Sequence, residues 1–382
     1  MTKPAASYRP VAFAELPGWA EDDHHAALKA FLQSCTRVLA VIKAGSTSRR
    51  ILPSPELLSA CHDAGRLAAE KKPAASAARG FFESHFQPNR VVHGKPEGLL
   101  TGYFEPLVEA SRRPEGPYQF PVYRRPPDLL TLIDETQPGP PPGPAMTHGR
   151  QSGKGIVAYP ARSEIESGAL SGRGLELAYM KDPVDLFMMQ VQGSGRLKLP
   201  DGSIIRVGYD GKNGHPYTSV GKYLIDNGMV SADKMSLDGM AAWLRADAER
   251  GRRAMWQNAS YVFFKELKGE QANAALGVIE IPLTPGRSLA LDPGFHALGL
   301  PVYVSAPSMT HVDRRGFHRL MVGHDVGAAI KGPERGDIFF GATKEAAKFA
   351  GVTKHPGNFF VLLPVKAAVE APTKTRSAGP GK

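Results

Sequence analysis

The stretches that decide the fold lie in the last quarter of the chain and read SLALDPGFHALGLPVYV (288–304), MVGHDVGAAIKGPERGD (321–337) and DIFFG (337–341). Each joins an apolar run to a turn rich in glycine or proline, a pattern that predicts short strands separated by tight turns. Asp292, Asp325 and Asp337 stand at these turns. A barrel presents polar side chains at its rim in such places, so the three aspartates are candidate site residues.

Outward from these turns, the strand pattern continues through most of the chain. Short runs of β-branched and aromatic residues begin at residue 81, return over 153–230 and fill 277–364. Residues 21–72 differ, because their apolar residues recur at three- and four-residue spacing, which predicts two helices. Ser54 followed by Pro55 marks the start of the second helix. The alternation of strand clusters indicates a mainly β protein of two barrel-like domains with a cleft between them.

Three further segments have a local signature. Asp201-Gly202 between two strand-like runs predicts a β-hairpin. The proline-dense region 124–150 predicts a long surface loop, because proline breaks both helices and sheet ladders. The tail 366–382, rich in alanine, proline, serine and glycine, predicts disorder.

The composition fits a globular protein that meets a polyanion. The 382 residues include 47 Lys and Arg against 37 Asp and Glu, a net charge of +10, with 42% hydrophobic residues. The basic residues are scattered and do not form an aromatic-interleaved stripe, which disfavours nucleic acid as the partner. No run approaches the roughly 20 apolar residues of a transmembrane helix. Residues 1–30 show neither a signal-peptide nor a lipid-attachment pattern.

Cys35 and Cys61 are the two cysteines of the chain. Neither stands in a spacing typical of a zinc site. They can pair across the two N-terminal helices in an oxidising compartment, but two separate buried thiols are the favoured expectation.

Several common site types are excluded by their missing motifs. The chain has no GxxxxGK[ST], HExxH or GxSxG pattern, and residues 323–327 read GHDVG, with histidine where a hydrolase elbow has serine. Residues 193–197, GSGRL, do not form GxGxxG. The sequence therefore predicts no cofactor and no metal, and carboxylate chemistry is what remains.

The chain resembles a known family. The three aspartates, with AIKG between the second and the third, are similar to the three-aspartate (3D) domain of the membrane-bound lytic murein transglycosylase A family. Five other runs resemble further signatures of that family in the same order: TGYFEP (101–106), YPARSEIESGAL (159–170), MQVQGSGRLKLPDG (189–202), YDGKNGHPYTSVGKYLIDNG (209–228) and NASYVFFKE (258–266). The resemblance covers about residues 80–365.

The resemblance implies a specific architecture. A double-psi β-barrel would combine residues 1–106, including the N-terminal helices, with the three-aspartate part at 273–365. A second β-barrel, residues 107–272, would be inserted between them, and residues 366–382 would form a disordered tail. The glycan groove would run between the two barrels.

The resemblance also implies a reaction. The chain would be a peptidoglycan lyase that cuts the β-1,4 bond between N-acetylmuramic acid and N-acetylglucosamine and leaves 1,6-anhydromuramic acid ends. Asp337 matches the single acid/base of the family. Asp325 is expected to support it, and Asp292 to hold a barrel turn. The expected groove residues supply amides, hydroxyls, an ammonium group or close backbone approach: Thr101, Gln192, Gly193, Ser194, Lys212, Asn213, Gly327, Lys331 and Gly332.

Two alternatives stay open at this point. One is a glycan-binding module without activity, and the other is a muramidase that uses water and a second carboxylate. In all three cases the partner is the peptidoglycan glycan strand. The expected location is the periplasm or cell envelope, with peripheral association with the outer membrane as a further possibility.

Overall fold

The computed structural model describes residues 6–43, 53–70, 75–133 and 147–366. Its helices are α1 His24–Lys43, α2 Pro55–Ala69, α3 Ala75–His85, α4 Arg162–Glu164, α5 Pro183–Gln192, α6 Val220–Asp226, α7 Leu237–Ala246, α8 Ala248–Met255 and α9 Lys344–Val352. Its strands are β1 Ser7–Pro10, β2 Phe86–Val92, β3 Gly98–Tyr103, β4 Leu107–Ser111, β5 Phe120–Tyr123, β6 Leu130–Thr131, β7 His148–Ser152, β8 Gly155–Val157, β9 Glu176–Met180, β10 Ser194–Lys198, β11 Ile204–Lys212, β12 Val262–Leu267, β13 Ser288–Ala290, β14 Pro301–Ala306, β15 Phe317–Asp325, β16 Arg335–Phe339 and β17 Lys354–Pro364. The mainly β fold with N-terminal helices is confirmed.

The N-terminal helices begin as the sequence predicts. Ser54 caps α2, because its Oγ accepts a hydrogen bond of 3.1 Å from the N–H of Leu57, and Pro55 occupies the first turn. The expected strand at residue 81 is wrong, because α3 continues to His85. Phe82 is fully buried on that helix, so its aromatic side chain serves helix packing rather than a sheet.

The two cysteines form a disulfide between α1 and α2. The Cα atoms of Cys35 and Cys61 are 5.2 Å apart, and both residues are buried. The expectation of two separate thiols is therefore wrong. Helix periodicity placed each cysteine on a buried face, and only the packing of the two helices brought the faces together.

The first barrel is a closed ring of six strands from both ends of the described chain. Around the ring the order is β3, β17, β14, β15, β13 and β16, and β16 then pairs with β3 again. The pairs β16–β3 and β13–β15 are parallel and the others are antiparallel. β2 pairs with the second half of β17, and β1 extends the sheet beyond β2.

The second sheet is built from the intervening residues in the order β12, β11, β10, β4, β9 and β5. An isolated bridge between Arg124 and Phe264 joins the end of β5 to β12, so the sheet curls round on itself. The predicted hairpin at Asp201-Gly202 is confirmed by antiparallel β10 and β11. These strands lie between residues 107 and 267, which supports the predicted insertion. The boundaries at 106/107 and 272/273 stay a prediction.

The region 124–150 contains more regular structure than a loop where it is described. β6 and β7 pair within it, and β7 also pairs with β8. The rest of the predicted loop, 134–146, and residues 367–382 of the predicted tail lie outside the described residues.

Candidate active site

Asp337 and Asp325 lie on the outer face of the first barrel, on either side of one alanine. Ala290 of β13 is the register partner of Asp325 on β15 and of Asp337 on β16. Adjacent strands are about 4.8 Å apart, so the two aspartates are roughly 10 Å apart along the sheet. Leu289 and Ile338 are 0% exposed in the barrel core. Because side chains alternate across a strand, Ala290 and Asp337 point the other way.

The carboxyl of Asp337 is held by the neighbouring strand β3. Thr101 is its register partner, and the hydroxyl of Thr101 donates a hydrogen bond of 2.5 Å to Oδ1 of Asp337. The same hydroxyl accepts a hydrogen bond of 2.8 Å from Nη2 of Arg335. Parallel pairing of β3 with β16 therefore places Arg335, Thr101 and Asp337 in one hydrogen-bonded chain.

The environment of Asp337 favours its neutral form. Burial raises the pKa of its carboxyl, and this effect exceeds the opposing influence of the Thr101 hydrogen bond and the positive charge of Arg335. Desolvation penalises the charged form of a carboxyl, so Asp337 retains its proton to higher pH than a solvated aspartate does. That property is required of a general acid.

Both carboxyl oxygens of Asp325 are held by the protein. Its Oδ1 accepts hydrogen bonds of 3.0 Å from the N–H groups of Val278 and Val326, and its Oδ2 accepts one of 3.0 Å from the hydroxyl of Tyr103. Burial raises the pKa of Asp325 to about 6, and the negative charge of Asp337 adds to this rise. The two carboxyls are thus electrostatically coupled.

A small apolar cluster accounts for the desolvation at this face. It consists of Tyr103, Ala275, Leu283, Ala290, Ile330 and Phe339. Thr101 and Tyr103 are two positions apart on β3, and Asp337 and Phe339 are two apart on β16. The period of two therefore places each polar group beside an aromatic ring on the same face.

Asp292 has the contacts of a structural residue. It is 3% exposed. Its Oδ1 accepts a hydrogen bond of 3.0 Å from the N–H of Gly294, and its Oδ2 accepts one of 2.9 Å from the N–H of Gly332. The second bond fastens the connection between β15 and β16, which leads into Asp337.

That connection also carries the other loop residues expected at the site. A Cβ on Gly327 would stand 2.6 Å from Cγ1 of Ile330, and Gly332 has a φ of +127°, so both positions favour glycine. Lys331 between them is exposed. The loop is therefore shaped by its glycines and open to solvent at its lysine.

Gln192, Gly193 and Ser194 lie where α5 ends and β10 begins. The side-chain Oε1 of Gln192 accepts a hydrogen bond of 2.9 Å from the N–H of Phe104. Gly193 ends the helix with a φ of +80°, and Ser194 is buried. Phe104 directly follows β3, the strand whose Thr101 contacts Asp337. The hydrogen bond therefore connects the end of α5, next to β10 of the second sheet, to the first barrel.

The expectation that Asn213 faces the groove is wrong. Its side chain is 0% exposed, and its Nδ2 donates hydrogen bonds of 2.9 Å to the carbonyl groups of Pro160 and Ala259. Its Oδ1 accepts one of 2.9 Å from the N–H of Tyr261. Internal partners use its amide, so Asn213 braces the second sheet. Lys212 beside it is also buried.

Three residues of the site were missed by sequence reasoning. Arg335 contacts Thr101, Tyr103 contacts Asp325, and Tyr217 lies within electrostatic reach of Asp337. Burial raises the pKa of Tyr217, and the charge of Asp337 adds to the rise. Arg335 and Tyr103 could have been found from the sequence, because each stands two positions from a candidate residue on the same strand. Tyr217 carried no such signal beyond its motif.

The described residues contain no group of three or more His, Cys, Asp or Glu side chains arranged to hold a metal ion. Within the same ranges, no helix combines the length and apolar character needed to cross a membrane.

Comparisons with known proteins match both halves of this architecture. Residues 99–265 match the family model of the MltA specific insert domain, and residues 287–363 match that of the 3D domain. The membrane-bound lytic murein transglycosylase A of Vibrio cholerae is 33% identical over 280 residues, which cover 72% of this chain and 67% of that protein. The chain thus aligns with about two thirds of the length of this curated relative.

Solved structures match this chain over a larger share of its length. The membrane-bound lytic murein transglycosylase of Agrobacterium tumefaciens superposes with a TM-score of 0.81 at 36% identity, covering 94% of this chain and 98% of that one. Escherichia coli MltA with bound chitohexaose superposes with a TM-score of 0.65 at 26% identity, covering 96% of each chain.

Proposed function

This chain belongs to the membrane-bound lytic murein transglycosylase A family, and from that premise we propose that it cleaves the glycan strands of peptidoglycan with Asp337 as its single acid/base. The bond broken is the β-1,4 bond between N-acetylmuramic acid and N-acetylglucosamine. The carrying observation is a shielded carboxyl of raised pKa, fixed by Thr101 on the outer face of the first barrel.

One carboxyl is sufficient for both proton transfers. Protonated Asp337 donates its proton to the glycosidic oxygen as the bond between that oxygen and C1 breaks and positive charge develops on the muramic acid ring. The resulting carboxylate then accepts the proton of the C6 hydroxyl while O6 attacks C1. The products are a 1,6-anhydromuramic acid end and a free hydroxyl on the other sugar, with Asp337 protonated again and no water consumed.

Asp325 would act on this cycle through its charge. Like charges disfavour each other's ionised form, so the pair of aspartates holds one proton to higher pH than two separate carboxyls would. Tyr103 connects Asp325 to the apolar cluster between them. We assign Asp325 a supporting role for this reason.

The geometry argues against the rival muramidase that uses water. Such an enzyme needs a second carboxylate free to activate water or attack the sugar, roughly 5 to 9.5 Å from the acid. Asp325 is the nearby carboxyl of this face, but both of its oxygens already accept hydrogen bonds from Val278, Val326 and Tyr103. Asp337 also disfavours the inactive glycan-binding module, since burying a carboxyl is costly without a use for it.

The glycan would lie along the face that carries Asp337, between the two barrels. Chitohexaose, found with the Escherichia coli relative, is a β-1,4-linked N-acetylglucosamine oligomer and therefore shares the backbone of the proposed substrate. Gln192, Gly193 and Ser194 on one side and Gly327, Lys331 and Gly332 on the other offer amide, hydroxyl, ammonium and backbone groups suited to N-acetyl sugars. Asn213 and the neighbouring buried Lys212 are left out of this set.

The proposed location is the periplasm, with association with the outer membrane. The relatives are named membrane-bound. The net charge of +10 suits an anionic wall polymer or membrane surface. The Cys35–Cys61 disulfide suits an oxidising compartment.

Incubation of the purified chain with isolated sacculi tests the proposal. Mass spectrometry of the soluble muropeptides should find ends lighter by one water than hydrolysed ends. Ends of hydrolysed mass would favour the muramidase, and bound but uncut sacculi would favour the binding module. Asp337→Asn is the control that must lose the anhydro products.

A further inference from the structure

Arg335 is fixed beside the acid without being the acid's direct hydrogen-bond partner. It precedes Asp337 by two positions on β16, so both side chains leave the same face of the strand. Its Nη2 donates to the hydroxyl of Thr101 at 2.8 Å, and its Nη1 donates to the carbonyl of Gly336 at 2.5 Å. Two donors of one planar guanidinium are thereby engaged, which fixes its orientation.

The direction of the Thr101 hydroxyl follows from proton counting. A hydroxyl has one proton to donate, and a guanidinium can only donate. Thr101 therefore accepts from Arg335 and gives its own proton to Oδ1 of Asp337. In a protonated carboxyl the oxygen without the proton is the better acceptor, so the acid proton belongs on Oδ2.

We propose that Arg335 is a positioning residue that acts through Thr101 to place the catalytic proton of Asp337 on Oδ2, away from β3 and towards the glycan. The inference rests on the proposed function, because it assumes that Asp337 is the acid. Thr101 fixes the orientation of the Asp337 carboxyl, and Arg335 fixes the orientation of the Thr101 hydroxyl. Without the guanidinium, the hydroxyl can rotate and Oδ1 can carry the proton on the unproductive side.

The arrangement balances two demands on the acid. A positive charge in direct contact would ionise Asp337 and remove its catalytic proton. With Thr101 in between, the charge of Arg335 still lowers the pKa of Asp337, but burial raises it by more. The carboxyl is therefore oriented by Thr101 while its pKa stays above that of a solvated aspartate.

Single variants test the role of each group. Arg335→Met removes the charge and the donors at similar length, and Thr101→Val removes the hydroxyl at similar volume. Each should lower kcat by about 10- to 100-fold and leave KM within about threefold, because orientation is lost and binding is kept. Thr101→Ser should restore most of kcat, and Arg335→Lys should fall between the parent and Arg335→Met.

The double variant separates positioning from glycan contact. If Arg335 acts through Thr101, Arg335→Met should cost less than about twofold further in kcat when Thr101 is already Val. Full multiplication of the two losses, or a loss confined to KM, would overturn the inference and assign Arg335 directly to the glycan.

A second readout does not depend on activity. The carboxyl carbon of Asp337, followed by NMR against pH, should titrate at higher pH in Arg335→Met and in Thr101→Val, because each removes an influence that lowers its pKa. Thr101→Ser should titrate like the parent. Parental titration in both removal variants contradicts the inference, whereas an active Asp337→Asn protein contradicts the proposed function instead. Circular dichroism melts confirm that the compared variants are folded.

Discussion

The outer face of the first barrel and the interior of the second sheet both contain polar groups in the family's motifs, yet they use them differently. Around Arg162, which is 1% exposed, the guanidinium donates to the carbonyl groups of Asn258 and Ser260 at 3.0 and 2.7 Å, and to Oε1 of Gln190 at 2.6 Å. Asn213 is fully buried close by, with its amide held by the same segment. Asp337 has one side-chain partner described, Thr101, on Oδ1.

Unused hydrogen-bonding capacity, rather than residue type or motif, therefore distinguishes a reactive side chain from one that stabilises the fold. The described hydrogen bonds of Arg162 and Asn213 go to helix and loop segments packed around the second sheet, which stabilises it. Asp337 keeps Oδ2 for chemistry. Variants at Asp337, Asn213, Asp325 and Gln192 test this distinction.

The largest effect is expected at the reactive group. Asp337→Asn should lower cleavage by at least about 10²- to 10⁴-fold, because an amide can neither give the acid proton nor accept the C6 hydroxyl proton. Its melting temperature should not fall, since an amide oxygen can still accept the hydrogen bond from Thr101. Release of anhydromuropeptides from sacculi at equal concentrations of folded protein measures the loss.

Asp292→Asn is the matched control for that variant. It removes one of two carboxylate acceptors that hold Gly294 and Gly332, so it should act on stability and leave activity in the folded fraction. Near-parental cleavage by Asp337→Asn would refute the central assignment.

The next largest effect is expected at Asn213, which stabilises the second sheet. Asn213→Ala should lower the free energy of unfolding by on the order of 3 kcal/mol, because it leaves the buried carbonyl groups of Pro160 and Ala259 and the N–H of Tyr261 without their partner. Urea denaturation measures this. Glycan affinity of the folded protein should stay parental, and a selective loss of affinity at parental stability would return Asn213 to the groove.

A pH-dependent effect is expected at Asp325. Its pKa in the folded state is about 6, above the ordinary value near 3.9 in an unfolded chain. Its stabilising contribution is therefore complete below about pH 4 and is lost as pH rises through about 6. Between these limits the parent should lose on the order of 2 kcal/mol relative to Asp325→Asn, measured by denaturation across pH.

The same variant tests the supporting role in catalysis. Removing this carboxyl should end the sharing of a proton between the two aspartates, slow cleavage and move the pH optimum downwards without abolishing glycan binding. If the pH profile of cleavage is unchanged and only the stability changes, Asp325 has a structural role like that of Asn213.

The smallest effect is expected at the groove. Gln192→Ala should weaken glycan binding by about 1–3 kcal/mol while the fold persists, because its amide is proposed to pair with N-acetyl groups. Calorimetry with a chitin oligomer measures the affinity, and Gln119→Ala on an exposed turn is the control. Parental affinity would limit Gln192 to its bond with the N–H of Phe104.

Much of the fold could be predicted from local pattern. The cap at Ser54, the hairpin at Asp201-Gly202 and the strands around the three aspartates depend on neighbours within a few residues, and the structure confirms them. Errors arose where partners are distant. Phe82 looked like part of a strand because aromatic residues favour strands, but packing against the other N-terminal helices decided for α3.

In the candidate site, too, the local sequence was sufficient for some residues and not for others. Glycine-flanked carboxylates and the resemblance were enough to single out Asp337, Asp325 and Asp292, and the contacts of Asp292 are those expected of a structural residue. Asn213 was misjudged because a GKNG run is compatible with both a groove and a buried turn. Its burial depends on carbonyl groups about 50 residues away in the chain.

The element types, the aspartate turns and the family could be read from the sequence, because periodicity, turn chemistry and motifs are properties of neighbouring residues. The packing of distant segments brings Cys35 to Cys61, buries Asn213 among internal partners and places Thr101 beside an aspartate 236 positions away. The physical reason is that a hydrogen bond or a pKa depends on which groups share a small, poorly solvated volume. Barrel closure sets that volume by pairing the first strands of the chain with the last.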